Sequence, residues 1–140
     1  YAVPVWDPHL IRHIDLLEKV QKFALKVCLK SWNTPYDTLL SIAQLPRLEQ
    51  RRVQLKLSFL YQLVNTLAIC PQAPLTYRNI SVNVRNNNPL LLNRPVCHTN
   101  SYQHSFYPHT IALWNNLPYP VTNSSSLFSF KRNVTQYLSA

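Results

Sequence analysis

The chain of 140 residues contains no glycine and 11 prolines. That pairing constrains its backbone more than any other property. Glycine enters left-handed backbone regions without a steric penalty. Without it, left-handed positions are expected to fall mostly to Asn, the next best tolerated residue there. Asn33, Asn65, Asn86 to Asn88 and Asn115-Asn116 stand where turns or helix ends are expected. Glycine loops that cradle phosphates are excluded, and with them P-loop and Rossmann chemistry.

The first half reads as helical. Asp7 is placed to cap a helix with Pro8 at its first position. That helix runs to about Lys30. Leu10, Ile14, Leu17, Val20, Ala24, Val27 and Cys28 fall on one broad stripe. Arg12, Lys19, Lys22, Lys26 and Lys30 fall on nearly the opposite side. Asp15 and Glu18 are spaced to form local pairs with Lys19 and Lys22. Trp6 reads as a packing anchor, and Trp32 closes this helix and packs against the next. Thr34-Pro35 opens a short helix over about residues 35–43, which Leu45-Pro46 stops. A long helix follows from about Pro46 to Leu67, with Leu48, Leu55, Phe59, Leu60, Leu63, Val64 and Leu67 as its apolar set. Its first half carries Arg47, Arg51, Arg52 and Lys56.

From Cys70 the composition shifts. Pro71, Pro74, Pro89, Pro95 and the Asn86 to Asn88 run deny any long regular element over residues 70–100. Short extended pieces fit at Ile80 to Val84 and Leu90 to Leu92. A compact helix is expected from near Tyr107-Pro108 to Asn115-Asn116, with Phe106, Ile111 and Trp114 as a small core. A final helix carries Leu127, Phe130, Val134 and Leu138, with Ser124 or Ser125 as its cap. The expected fold class is mainly α: a small helical bundle, a Pro/Asn-rich irregular segment, then two short C-terminal helices. The divisions are 1–68, a helical region; 69–100, an irregular Pro/Asn-rich linker; and 101–140, a small helical module.

The net charge is +9, and its distribution says more than its size. All acids (Asp7, Asp15, Glu18, Asp37, Glu49) lie in the first 49 residues. Beyond them stand Arg51, Arg52, Lys56, Arg78, Arg85, Arg94, Lys131 and Arg132 with no acid to offset them. Such a field attracts polyanions, nucleic acid first among them. No apolar run reaches the roughly 20 residues of a membrane helix. The start lacks the apolar segment of a signal peptide. Cys28, Cys70 and Cys97 are widely spaced and odd in number, as suits reduced thiols inside a cell. With Tyr1 first and no Met, the chain is expected to be a piece of something longer.

Phosphoryl transfer needs clustered carboxylates to hold metal ions. The acids here are scattered over helix starts and faces, so no catalytic residue is assigned. Cys97, His98, His104 and His109 form the one metal-like group. Adjacent Cys97 and His98 chelate poorly, and no metal is assigned. Tyr102, His104, Phe106, Tyr107 and His109 interleave rings with potential cations, a pattern that can stack bases and neutralise phosphates.

Four phrases, in order, carry a resemblance. They are Tyr1-Ala2-Val3-Pro4-Val5-Trp6-Asp7-Pro8, Leu17-Glu18-Lys19-Val20-Gln21, Ser105-Phe106-Tyr107-Pro108-His109-Thr110-Ile111-Ala112-Leu113-Trp114-Asn115-Asn116-Leu117-Pro118, and Ser126-Leu127-Phe128-Ser129-Phe130-Lys131. Together they resemble the segment that follows the polymerase palm in jockey-like LINE (non-LTR retrotransposon) reverse transcriptases. His109 stands where the family phrase usually has Arg, and the Cys-x-x-Cys knuckle of some LINE proteins is missing. The Tyr-x-Asp-Asp motif of the polymerase is absent. The resemblance implies a thumb or thumb-adjacent connector of an RNA-directed DNA polymerase with an upstream endonuclease. Mg2+ is then expected only in the parent polymerase domain, with no cofactor in this chain. The implied partners are RNA or DNA and the palm of the same polyprotein, with no membrane and no small-molecule substrate. The implied location is the nucleus or cytoplasm, as a ribonucleoprotein. The expected nucleic-acid contacts are Arg12, Lys19, Lys22, Lys26, Lys30, Arg51, Arg52, Lys56, Arg85, Arg94, His104, His109, Lys131 and Arg132. The alternatives are a structural connector docked on the palm, marked by an exposed apolar helix face, or a decayed element copy.

Overall fold

The computed structural model describes residues 2–70, 75–78 and 88–139. The fold is mainly α. Among the described residues the helices are α1 (Val3–Trp6), α2 (Ile11–Cys28), α3 (Tyr36–Ala43), α4 (Leu48–Val64), α5 (Asn100–Gln103), α6 (Phe106–Asn115), α7 (Tyr119–Thr122) and α8 (Leu127–Ser139). The chain divides into two compact units, Tyr1–Val53 and Gln54–Ala140. The boundary falls inside α4, whereas the sequence division was drawn at residue 68.

In the first unit, Asp7 does not open α2. It ends α1, its N–H bonding to Val3 O at 3.1 Å. The start of α2 falls to Leu10, in extended backbone and without a side-chain cap. α3 packs on α2 through Leu39 and Leu40, which meet Leu25. This decides which side of α2 turns inward. Leu25, outside the expected stripe, is buried, whereas Leu10, Val20, Ala24, Val27 and Cys28 are exposed. Trp32 is 57% exposed and meets Phe23 edge-on at 6.1 Å, so it packs on its own helix. Trp6 is half exposed.

α2, α3 and α4 end alike. Ser31 N–H reaches Lys26 O and Lys30 N–H reaches Val27 O; Leu45 reaches Leu40 and Gln44 reaches Ser41; Leu67 reaches Gln62 and Thr66 reaches Leu63. Each pair of bonds is a Schellman motif, whose pivotal residue must be left-handed. The pivots are Lys30, Gln44 and Thr66, at φ of 50°, 52° and 55°. Among the described residues no Asn takes a positive φ, contrary to expectation. The slot lies where packing ends each helix, and the nearby Asn65 misses it by one residue.

The second unit gathers around the later turns of α4. From Gln54 to Val64 only Leu55 is exposed. Leu57, Leu60 and Tyr61 are buried with Ile111 and Trp114 of α6 and Phe130 and Val134 of α8. Of these, Leu57 and Tyr61 were missing from the expected apolar set. Tyr61 stacks on Phe130 at 4.5 Å, and Trp114 lies 5.6 Å from the same ring. Ser126 caps α8, accepting from Ser129 N–H at 3.2 Å, in place of Ser124 or Ser125. Ser124 Oγ instead accepts from Asn133.

The expected extended piece at 80–84 lies outside the described residues. Leu92 forms a single antiparallel bridge with Tyr77 and is buried. The Asn115 side chain donates to Leu92 O at 2.9 Å and accepts from Leu92 N–H at 3.0 Å. Trp114 Nε1 donates to Leu90 O at 2.9 Å. Part of the segment drawn as a linker therefore belongs to this core.

Candidate nucleic-acid interface

With Leu25 turned inward, α2 presents three lengthwise faces. The inner one holds Ile14, Leu17, Glu18, Gln21 and Leu25, all buried or half-buried. Next to it stand Arg12, Lys19, Lys22 and Lys26, within an arc of about 80° at 3.6 residues per turn. The first three are exposed and Lys26 is half-buried, its Nζ donating to Trp32 O at 2.6 Å. Asp15 shares that arc. Lys30, exposed, follows at the left-handed pivot. The third face is apolar and is treated below.

Glu18 does not pair with Lys22. Its carboxylate accepts from Tyr36 Oη at 2.5 Å and from Glu49 N–H at 3.0 Å. Burial, then the hydrogen bond to this carboxylate, raises the Tyr36 pKa far above the usual phenol value. Arg47 pairs with Asp37 at 2.6 Å, which raises the Arg47 pKa.

The cations of α4 divide. Arg51 is exposed, but Arg52 and Lys56 are buried. Arg52 Nε lies 2.7 Å from Asp7 Oδ1. Lys56 Nζ lies 3.1 Å from His109 Nδ1. An ammonium has only donors, so with Lys56 charged Nδ1 accepts and the ring proton sits on Nε2. Arg52 and Lys56 thus serve inside the fold and do not add to a surface for phosphates. The helix periodicity that buries Leu60 also buries the positions one and two turns before it.

Arg94, Lys131 and Arg132 are exposed, and Arg85 lies outside the described residues. His104 and His109 are half-buried, their rings 6.3 Å apart. Phe106 packs between Phe59, at 5.5 Å, and Tyr107, at 5.1 Å. Tyr107 Oη donates to Cys70 Sγ at 3.2 Å. Among the described residues no three His, Cys, Asp or Glu side chains gather as a metal ion would require. Sequence reasoning passed over Phe128, which is 75% exposed and one turn before Lys131 and Arg132. An apolar residue one turn from paired cations was the available signal.

Comparison with protein families, curated proteins and solved structures found no match to this chain. Among the described residues, no helix is long and apolar enough to cross a membrane.

Proposed function

We propose that the chain is a non-catalytic part of a LINE-type reverse transcriptase and holds nucleic acid by its backbone phosphates. The four ordered phrases support the family. The basic face of α2 carries the binding reading: Arg12, Lys19 and Lys22 are exposed on one arc with Lys26 beside them. Lys30 extends it past the helix end. Arg51 is a further exposed cation of the first unit, and Arg78, Arg94, Lys131 and Arg132 are exposed in the second. Phosphate contacts position a strand without reading its sequence, so template-primer duplex and element RNA are both suitable ligands. Polymerase chemistry, its Mg2+ and the endonuclease belong to the parent protein, acting in a nuclear or cytoplasmic ribonucleoprotein.

The test is a salt titration of the full chain against labelled single-stranded RNA and duplex DNA. Each phosphate contact contributes a slope of about −0.7 to −0.9 in log affinity against log salt. Four cations predict a slope of about −3. Replacing Lys19 and Lys22 by Gln should remove nearly half of it. A flat salt response would end the nucleic-acid reading.

A further inference from the structure

The third face of α2 carries Leu16, Val20, Phe23 and Val27, exposed at 50, 67, 60 and 48%. Their spacing of four, three and four residues is that of a helix-pairing seam. Leu25, Leu39 and Leu40, which form the core of this unit, lie away from it. Along one edge runs a groove of about 340 Å³, lined by Val20, Ala24, Leu45, Pro46 and Leu48, with Arg51 in its wall. Along the other edge stand Lys19 and Lys26. Contiguous apolar surface rimmed by charge marks a binding site.

The charges on both edges select the occupant. A second copy of this chain, itself at +9, would bring its own Lys19, Lys26 and Arg51 against like charges. Nucleic acid satisfies the edges but not the seam: Phe23 and the Trp32 ring edge-on to it can stack a base, whereas Leu16, Val20 and Val27 offer only aliphatic surface. We propose that the seam and groove bind an amphipathic helix of a partner protein. Its apolar stripe lies on Leu16, Val20, Phe23 and Val27, and Glu or Asp on its flanks reaches Lys19, Lys26 and Arg51. This is the helix-in-groove mode of recognition. It does not depend on nucleic-acid binding.

The probe is a synthetic helix of about four heptads, with Leu at the seam and Glu on the flanks. A matched peptide carries Lys on the flanks. The full chain should bind the Glu peptide at least tenfold more tightly by calorimetry. Replacing Val20 and Phe23 together by Ser leaves the charge unchanged and should lower that affinity at least tenfold, with helical circular dichroism retained. The Lys19→Glu, Lys26→Glu variant should shift preference toward the Lys peptide. Equal binding of both peptides would overturn the proposal, as would unchanged affinity in the Ser variant. So would a dimer in sedimentation that the Ser variant dissolves, which would make a second copy the occupant. Loss of RNA binding in the Ser variant, with peptide binding intact, would assign the seam to nucleic acid instead.

Discussion

Arg52 Nε lies 2.7 Å from Asp7 Oδ1, with the two side chains 5% and 16% exposed. The N–H is not aligned on the oxygen, so the contact is one of charge more than of hydrogen bonding. A buried cation whose partner is removed keeps its desolvation cost and loses its compensation. Asp7→Ala should therefore lose about 3 kcal/mol of stability, read as a lower urea midpoint. Adding Arg52→Met should recover most of it. If Asp7→Ala cost no more than a surface substitution, the pair would not be holding the first unit.

The three left-handed pivots store strain that glycine would release. A non-glycine residue there costs about 1–2 kcal/mol, partly offset by glycine's larger unfolded-state entropy. Gln44→Gly and Thr66→Gly should each raise stability by about 0.5–1 kcal/mol. The branched Thr66 should gain more. Asn65→Gly, one residue away, should gain nothing. Thermal melts of the three variants decide the matter.

Alkaline pH should expose Tyr107. Burial, then its hydrogen bond to Cys70, pushes its pKa from 10.0 to about 12. The folded state thus holds the neutral phenol beyond the pH at which the unfolded chain releases its proton. The stability this contributes is complete below pH 10.0 and disappears as pH rises through about 12. Tyr36 adds to the same trend. Stability should fall less steeply across that window in Tyr107→Phe than in the wild type. Identical slopes would remove Tyr107 as the cause.

Asn115 satisfies both backbone groups of Leu92. Asn115→Leu keeps the volume but leaves that N–H and C=O without these partners. The expected loss is about 2 kcal/mol, measured by urea unfolding. Amide exchange at Leu92 should rise with it. Unchanged protection there would show that the side chain is dispensable.

Helices were the legible part of this chain, because apolar spacing and proline stops act locally. Thr34-Pro35 and Leu45-Pro46 bracket α3, although the expected cap-then-proline start shifts by one residue, with Pro35 at the N-cap and no side-chain cap from Thr34, and the serine run precedes α8. Tertiary choices were not legible. α2 offers apolar residues on two sides, and only the position of Leu39 and Leu40 decides that Leu25 goes in and Val20 stays out. α4 looked half basic and half apolar. Arg52 in the first unit and Lys56 in the second are nevertheless buried, where Asp7 and His109 respectively meet them. Both partners are distant in sequence, so no spacing rule reveals them. The basic side of α2 did follow from periodicity, whereas the adjacent seam was hidden inside an overly broad apolar stripe.

Glu18 joins three helices with one carboxylate, taking the Tyr36 hydroxyl of α3 and the Glu49 N–H in the first turn of α4. Helix starts are ordinarily satisfied by a residue beside them, and this one draws on a side chain 31 residues earlier. The first turn of α4 is therefore tied to α2 as well as to its own chain. The opening stretch of the protein should not assemble helix by helix. It should form and open as one cooperative block, with the amides of α2, α3 and the beginning of α4 exchanging with a common free energy.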